Sequence, residues 1–190
     1  MSEGGFHVHG PHDHAVEHEA QHGDGFAGRI AVMTAIFATV GALFGYMGGA
    51  TQNDALLYKN DAAIKKTEAS DQWNFYQAKS SKQNLAELGA VLTAGEQAAK
   101  YLAEIDRYKK EKEEIKKQAE ALEAAGKEAE KKSEASMHVH HRWAQSMALI
   151  QIAIALAAIT LLTRQKWLQW LAYGAGGGSL VVAALAFAHI

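Results

Sequence analysis

His18-Glu19-Ala20-Gln21-His22 matches the H-E-x-x-H pattern, in which two histidines on one helix face bind zinc and the glutamate acts as general base. The same stretch also holds His7, His9, His12 and His14, interspersed with Asp13, Glu17 and Asp24. Imidazoles and carboxylates at this density chelate zinc, copper or nickel, and the imidazoles gain charge as pH falls towards about 6. Reversible metal binding and proton sensing are therefore the two chemistries on offer, with a divalent transition metal as the one candidate cofactor. Proteolysis is not expected, because the motif sits in a short polar tail, residues 1–28, with no surrounding domain to hold a substrate and no evident third ligand. A second group, His138, His140 and His141 with Arg142, reads first as a cap at a membrane surface and only weakly as a metal site.

The elements that must carry these residues are set by where apolar sequence lies. Residues 29–50, 143–163 and 167–188 are apolar stretches about as long as a bilayer-spanning helix, roughly 20 residues. Between the first two lies a charged segment, 51–142, that cannot cross lipid and reads almost throughout as helix. Apolar and charged residues are segregated into blocks, which argues against one soluble core. Proline occurs only at position 11, so nothing beyond it forces a helix to break. The expected fold is all-α, an integral membrane protein with three transmembrane helices and a long extramembrane antiparallel helical hairpin. No cleavable signal peptide is visible, so the first span is expected to act as an uncleaved anchor.

The hairpin must leave and re-enter the membrane on one side, which places its reversal near 88–93. Thr93-Ala94-Gly95-Glu96 fits a capping box, with Thr93 as N-cap of the second arm. In that arm Ala98, Tyr101, Ile105, Tyr108, Ile115, Ala119, Leu122 and Ala129 follow coiled-coil spacing, interrupted by Lys112 and Gly126. The first arm offers Leu57, Ile64, Ala78 and Leu85 at heptad spacing. It also carries an aromatic knot in which Trp73 and Tyr76 share a face and Phe75 points elsewhere. That knot is expected to pack within the hairpin and against a neighbouring subunit, making Trp73, Phe75 and Tyr76 candidate oligomer or partner contacts.

The run Glu68-Ala69-Ser70-Asp71-Gln72-Trp73-Asn74-Phe75-Tyr76-Gln77-Ala78-Lys79-Ser80, followed by a long helix and then His140-His141-Arg142-Trp143 ahead of a final apolar hairpin, resembles the bacterial domain-of-unknown-function 4337 family. The resemblance covers most of the chain after the tail. It implies the three-span layout, and brings no activity, substrate or catalytic residue with it.

Within the spans the signals are for packing. Gly41, Gly45 and Gly49 repeat every four residues, and Gly174 and Gly178 bracket a glycine pair in the third span. Small residues at that spacing let helix backbones approach, and Gln151 is placed for an interhelical hydrogen bond. No Asp, Glu, Lys, Arg or His lies deep in a span, which argues against a proton-coupled carrier or a charged pore ring. Arg29 and the short Arg164-Gln165-Lys166 turn favour a cytoplasmic tail and a periplasmic hairpin in the bacterial inner membrane.

Several classes are excluded by composition. The chain has no cysteine, so no disulfide, thiolate metal site or cysteine nucleophile. Acids and bases are matched along the second arm, so no basic face awaits nucleic acid. No nucleophile, base and oxyanion constellation stands out, so an enzyme is not expected. The reading is a non-enzymatic structural protein: a homo-oligomeric scaffold or accessory subunit whose partners are the lipid bilayer, its own copies and a further membrane protein. The alternative is a metal- or proton-responsive membrane protein, pore-forming in some versions, with the histidine tail as sensor.

Overall fold

The computed structural model describes residues 25–188. The described chain is three helices, α1 (Gly25–Leu92), α2 (Glu96–Thr163) and α3 (Lys166–Phe187), joined by two short turns. α1 and α2 are each 68 residues long and pack antiparallel. Without proline in this part, no carbonyl in either helix loses its i+4 donor. The all-α expectation holds. Each helix contains a stretch long and apolar enough to cross a membrane.

The contacts divide the chain into an apolar unit, of which 25–51 and 138–188 are described, and a hairpin unit, 52–137. The apolar unit is a three-helix packing with two clusters. Phe44, Trp143, Ile150, Ala183 and Ala186 form one, and Ile30, Met33, Ala157 and Ala172 form the other. Phe37 packs against both. The buried hydroxyls of Ser146, Thr160 and Ser179 donate to carbonyls of their own helices, so none is left without a partner in an apolar setting.

The hairpin unit reverses at residues 93–95, at the far end of the expected 88–93 segment and just beyond it. α1 runs on through 88–92, and α2 begins at Glu96. Thr93 does not act as the expected N-cap: its hydroxyl donates back to the Gly89 carbonyl at 2.7 Å. Glu96 turns forward to Lys100 instead of reaching back. The reversal rests on Gly95, whose φ of +67° suits a residue without Cβ, and on Gly89, against which the Tyr101 ring lies flush. At the α2–α3 turn Arg164 itself takes φ 54°. Its amide still closes on the Thr160 carbonyl at 2.8 Å.

The seam between the two arms differs from the expected one. On α2 the stripe is as read, with Ile105, Ala119 and Ala129 buried. On α1, however, Leu57, Ile64, Ala78 and Leu85 all face outward, and the buried positions are Ala55, Ala62, Ala69 and Ala86. The physical reason is the partner surface. Around Gly126 and Ser133 α2 presents little side-chain volume, and a Cβ on Gly126 would stand 3.6 Å from the Ala62 carbonyl oxygen. Only small residues on α1 let the backbones come this close, and Ser133 then donates its hydroxyl across to Ala55 O at 2.8 Å. Leu57 or Ile64 at those positions would wedge the arms apart. Gly126 is thus a point of closest approach, not an interruption.

Candidate functional site

The aromatic knot of the hairpin unit has one face inside and one outside. Trp73 and Tyr76, three apart on α1, lie edge to face with ring centroids 5.6 Å apart. The Trp73 indole donates to Glu123 Oε1 on α2 at 2.8 Å. The Tyr76 ring carries the Lys112 ammonium 5.0 Å from its centroid, and that ammonium also donates to Gln83 Oε1 at 3.2 Å. Lys112 breaks the apolar stripe, but it joins the arms through its head group. Phe75 takes the other direction and is 59% exposed. Trp73 and Tyr76 are therefore contacts within the hairpin, and Phe75 alone of the three is presented outward.

Beside the knot, Lys79 pairs with Glu111, which also receives Arg107, and Tyr108 lies beneath both cations. Further along, Lys66 and Lys59 converge on Glu130 from the other arm, and Lys132 holds Glu128. The ammonium hydrogen bonds of Lys79, Lys66 and Lys132 hold the carboxyls of Glu111, Glu130 and Glu128, respectively, below the usual glutamate range. Folded-state values below the unfolded ones mean that this stabilisation is present above the ordinary carboxylate range and lost as pH falls through the lowered values. The hairpin is accordingly expected to melt at progressively lower temperature as pH drops from about 6 to about 3. Circular-dichroism melts of the full chain test this, and Glu111→Gln, Glu128→Gln and Glu130→Gln should together flatten the profile. The described part of the apolar unit has no Asp or Glu to add an acid transition of its own.

The outward face of α1 in this unit has no partner among the described residues. Leu57, Ile64, Ala78, Leu85 and Leu92 recur on it at heptad spacing, with Asp71 in the remaining slot. Towards the reversal the exposed apolar surface broadens, as Leu88, Val91 and Leu102 join it and Val91 reaches 82% exposure. Isolated exposed leucines are ordinary, but here they form an ordered row that ends in an apolar cluster. Heptad spacing points to these residues but assigns them to the inside of the hairpin. The signal that separates the two assignments is Gly126 on the opposite arm.

In the apolar unit the glycines divide in the same way. A Cβ on Gly41 would stand 3.1 Å from Ile150, one on Gly45 3.4 Å from Met147 and one on Gly48 3.4 Å from Trp143. The close contact of α1 with α2 thus follows 41, 45 and 48. Gly49, read as the third member of the repeat, meets nothing within 4 Å. In α3 the close contact is Gly176, where a Cβ would lie 2.5 Å from the Phe37 ring, whereas Gly174 and Gly178 face open space. Gln151 lies beside Gly41 but is exposed, with no hydrogen bond among the described residues. Of the histidine group near the second apolar stretch, His140 helps to hold α1 to α2, while His138 and His141 are exposed. The Gly48 carbonyl accepts from His140 Nδ1 at 2.8 Å, which fixes the ring's proton on that nitrogen. Thr51 donates to the same carbonyl at 3.0 Å.

The tail residues His7, His9, His12, His14, His18 and His22 lie outside the described residues. Among the described residues no three His, Asp or Glu side chains are grouped as a metal site.

A family model described as a domain of unknown function, DUF4337, matches residues 26–189. The chain belongs to this family. The match takes in all of α1, α2 and α3 beyond the first residue, so both the small-residue seam and the exposed row lie inside the DUF4337 region. Neither a curated protein nor a solved structure matches the chain significantly.

Proposed function

We propose that this DUF4337 chain is a non-enzymatic membrane scaffold that assembles with copies of itself through the outward face of the hairpin. The observation that carries this reading is the heptad-spaced row Leu57, Ile64, Ala78, Leu85 and Leu92, exposed on a helix whose opposite face is already filled. Membrane insertion is supported by the three apolar stretches and by the outward Val32, Ile36, Leu43, Ile152, Leu162 and Leu180, which suit lipid and not water. Trp167, Trp170 and Tyr173, all exposed at the start of α3, supply an interfacial aromatic belt. The positive-inside rule puts Arg29, Arg164 and Lys166 on the cytoplasmic side.

Copies inserted in one membrane share an orientation, so a two-fold pair would bring α1 against α1 parallel and in register. Each residue of the row would then face its own copy. Asp71 would face Asp71, a like-charge contact that weakens the pair and keeps it adjustable.

The absence of cysteine makes the test direct. Ala78→Cys is expected to form a disulfide-linked dimer under mild oxidation in vesicles, whereas Gln77→Cys, one position off the row, should not. Ile64→Glu with Leu85→Glu should reduce the assembled mass in detergent, read by light scattering, with helicity unchanged because both side chains are exposed. Asp71→Leu should tighten the assembly. A monomeric wild type, or equal cross-linking at 77 and 78, would sink the proposal.

A further inference from the structure

At the Arg29 end of the apolar unit lies an open groove of about 580 Å³, lined by Arg29, Val32, Met33, Ile36, Phe37 and Tyr173 together with two glycines of α1. Its walls are apolar apart from the guanidinium and the Tyr173 hydroxyl. Gly25 and Gly28 leave the mouth open, since a Cβ at either meets nothing within 4 Å. The Arg29 Nε donates to the Gly25 carbonyl at 2.9 Å, which draws the guanidinium back along α1 to the mouth and leaves its terminal nitrogens for another acceptor.

The packing of Ile30 and Met33 against Ala157 and Ala172 puts the end of α2 and the start of α3 at this same end of the bundle, so Lys166 adds to its positive charge. No Asp or Glu is present among the described residues of this unit to offset it. A cation over an apolar slot, with the exposed Trp170 ring 6.0 Å from that of the lining Tyr173, has the chemistry of a lipid site and not of a soluble metabolite.

We infer that this groove binds an anionic phospholipid, one acyl chain lying along Val32, Met33, Ile36 and Phe37 and the phosphate paired with Arg29. The inference rests on the membrane reading above. The guanidinium is the group that prefers phosphate to solvent, and it can do so bidentately. The slot gives the acyl chain an apolar bed and fixes the lipid's position relative to the helices. A lipid held in this way would fill the gap between α1 and α3 near Tyr173.

The test uses the full chain in detergent supplied with equal amounts of dioleoyl phosphatidylglycerol and dioleoyl phosphatidylcholine, and counts retained lipids by native mass spectrometry. Wild type is expected to retain phosphatidylglycerol about tenfold over phosphatidylcholine: both offer a phosphate to Arg29, but the choline ammonium neutralises its own phosphate and is repelled by the cations at this end of the unit. Arg29→Gln should abolish the preference and Arg29→Lys should keep part of it. Gly28→Leu, whose Cβ meets nothing within 4 Å and whose side chain takes up space at the mouth, should lower retention of both lipids. Equal retention of the two lipids by wild type, or an unchanged preference in Arg29→Gln, overturns the site. Liposome flotation separates the two levels of failure. A chain that floats without the preference overturns the lipid site alone, and one that stays in the aqueous layer overturns the membrane reading beneath it.

Discussion

Gly126→Leu is expected to lower the melting temperature of the hairpin unit by roughly 10 °C or more, while Gly126→Ala leaves it unchanged or raises it. A Cβ at 126 would make ordinary contacts, 3.4 Å to Lys65 Cβ and 3.6 Å to both Ala62 O and Lys66 Cγ. Alanine therefore fits, and it gains up to about 1 kcal/mol of helix propensity over glycine. Leucine must place further carbons where the backbone of α1 already lies, and helix backbone cannot swing aside as a side chain can. Overpacking of this kind costs about 1–3 kcal/mol, and each kcal/mol moves the melting temperature of a unit this size by roughly 4–8 °C. The loss should exceed the steric term, because separating the arms also breaks the Ser133 to Ala55 bond in the same seam. Far-UV circular-dichroism melts of the full chain in detergent measure both variants. Equal melting of the Gly126→Leu variant and the wild-type chain would show that the arms do not meet at this seam.

Gly176→Ala is expected to loosen the apolar unit by about 1–3 kcal/mol, although the same change at Gly174 or Gly178 should be neutral or stabilising. A Cβ at 176 would stand 2.5 Å from Phe37 Cζ and 2.7 Å from Cε1, well inside contact distance. A ring tip can move when its surroundings are empty. Phe37 has room only on the side of the groove it lines, and because it packs against both clusters of the unit its displacement that way would open each of them. Phe37→Leu removes the offending carbons, so the double variant should recover much of the stability that Gly176→Ala loses. Limited proteolysis and thermal melts of the two single variants and the double variant give the coupling directly. An additive cycle would show that the two positions do not touch.

Much of the fold is legible in the sequence. Block segregation of apolar and charged residues yields three long helices, and the lone proline at position 11 explains why two of them run for 68 residues unbroken. The α2 stripe is also legible, because Ile105, Ala119 and Ala129 stand out against a heavily charged background. The aromatic knot splits as expected into Trp73 and Tyr76 on one face and Phe75 on another, since their spacing alone fixes their angular separation. The glycine contacts are harder. Gly41 and Gly45 meet α2, but 48 and not 49 continues the line, and 176, not 174 or 178, is the contact in α3. Four-residue spacing identifies a helix surface that could be approached, and a partner at every slot does not follow from it.

The decisive gap concerns α1 in the hairpin. Ala55, Ala62 and Ala69 recur every seven residues, and so do Leu57, Ile64, Ala78 and Leu85, with one slot skipped at Asp71. Periodicity cannot choose between two rows of the same period, and hydrophobicity favours the leucines. Sequence by itself determined that α1 is helical here and that it carries two apolar rows. Only the tertiary structure decided which row is inside, because that depends on the shape of α2 near Gly126 and Ser133, where there is room for methyl groups and not for isobutyl groups. Close packing against that surface turned the alanines inward and left the leucines for something else.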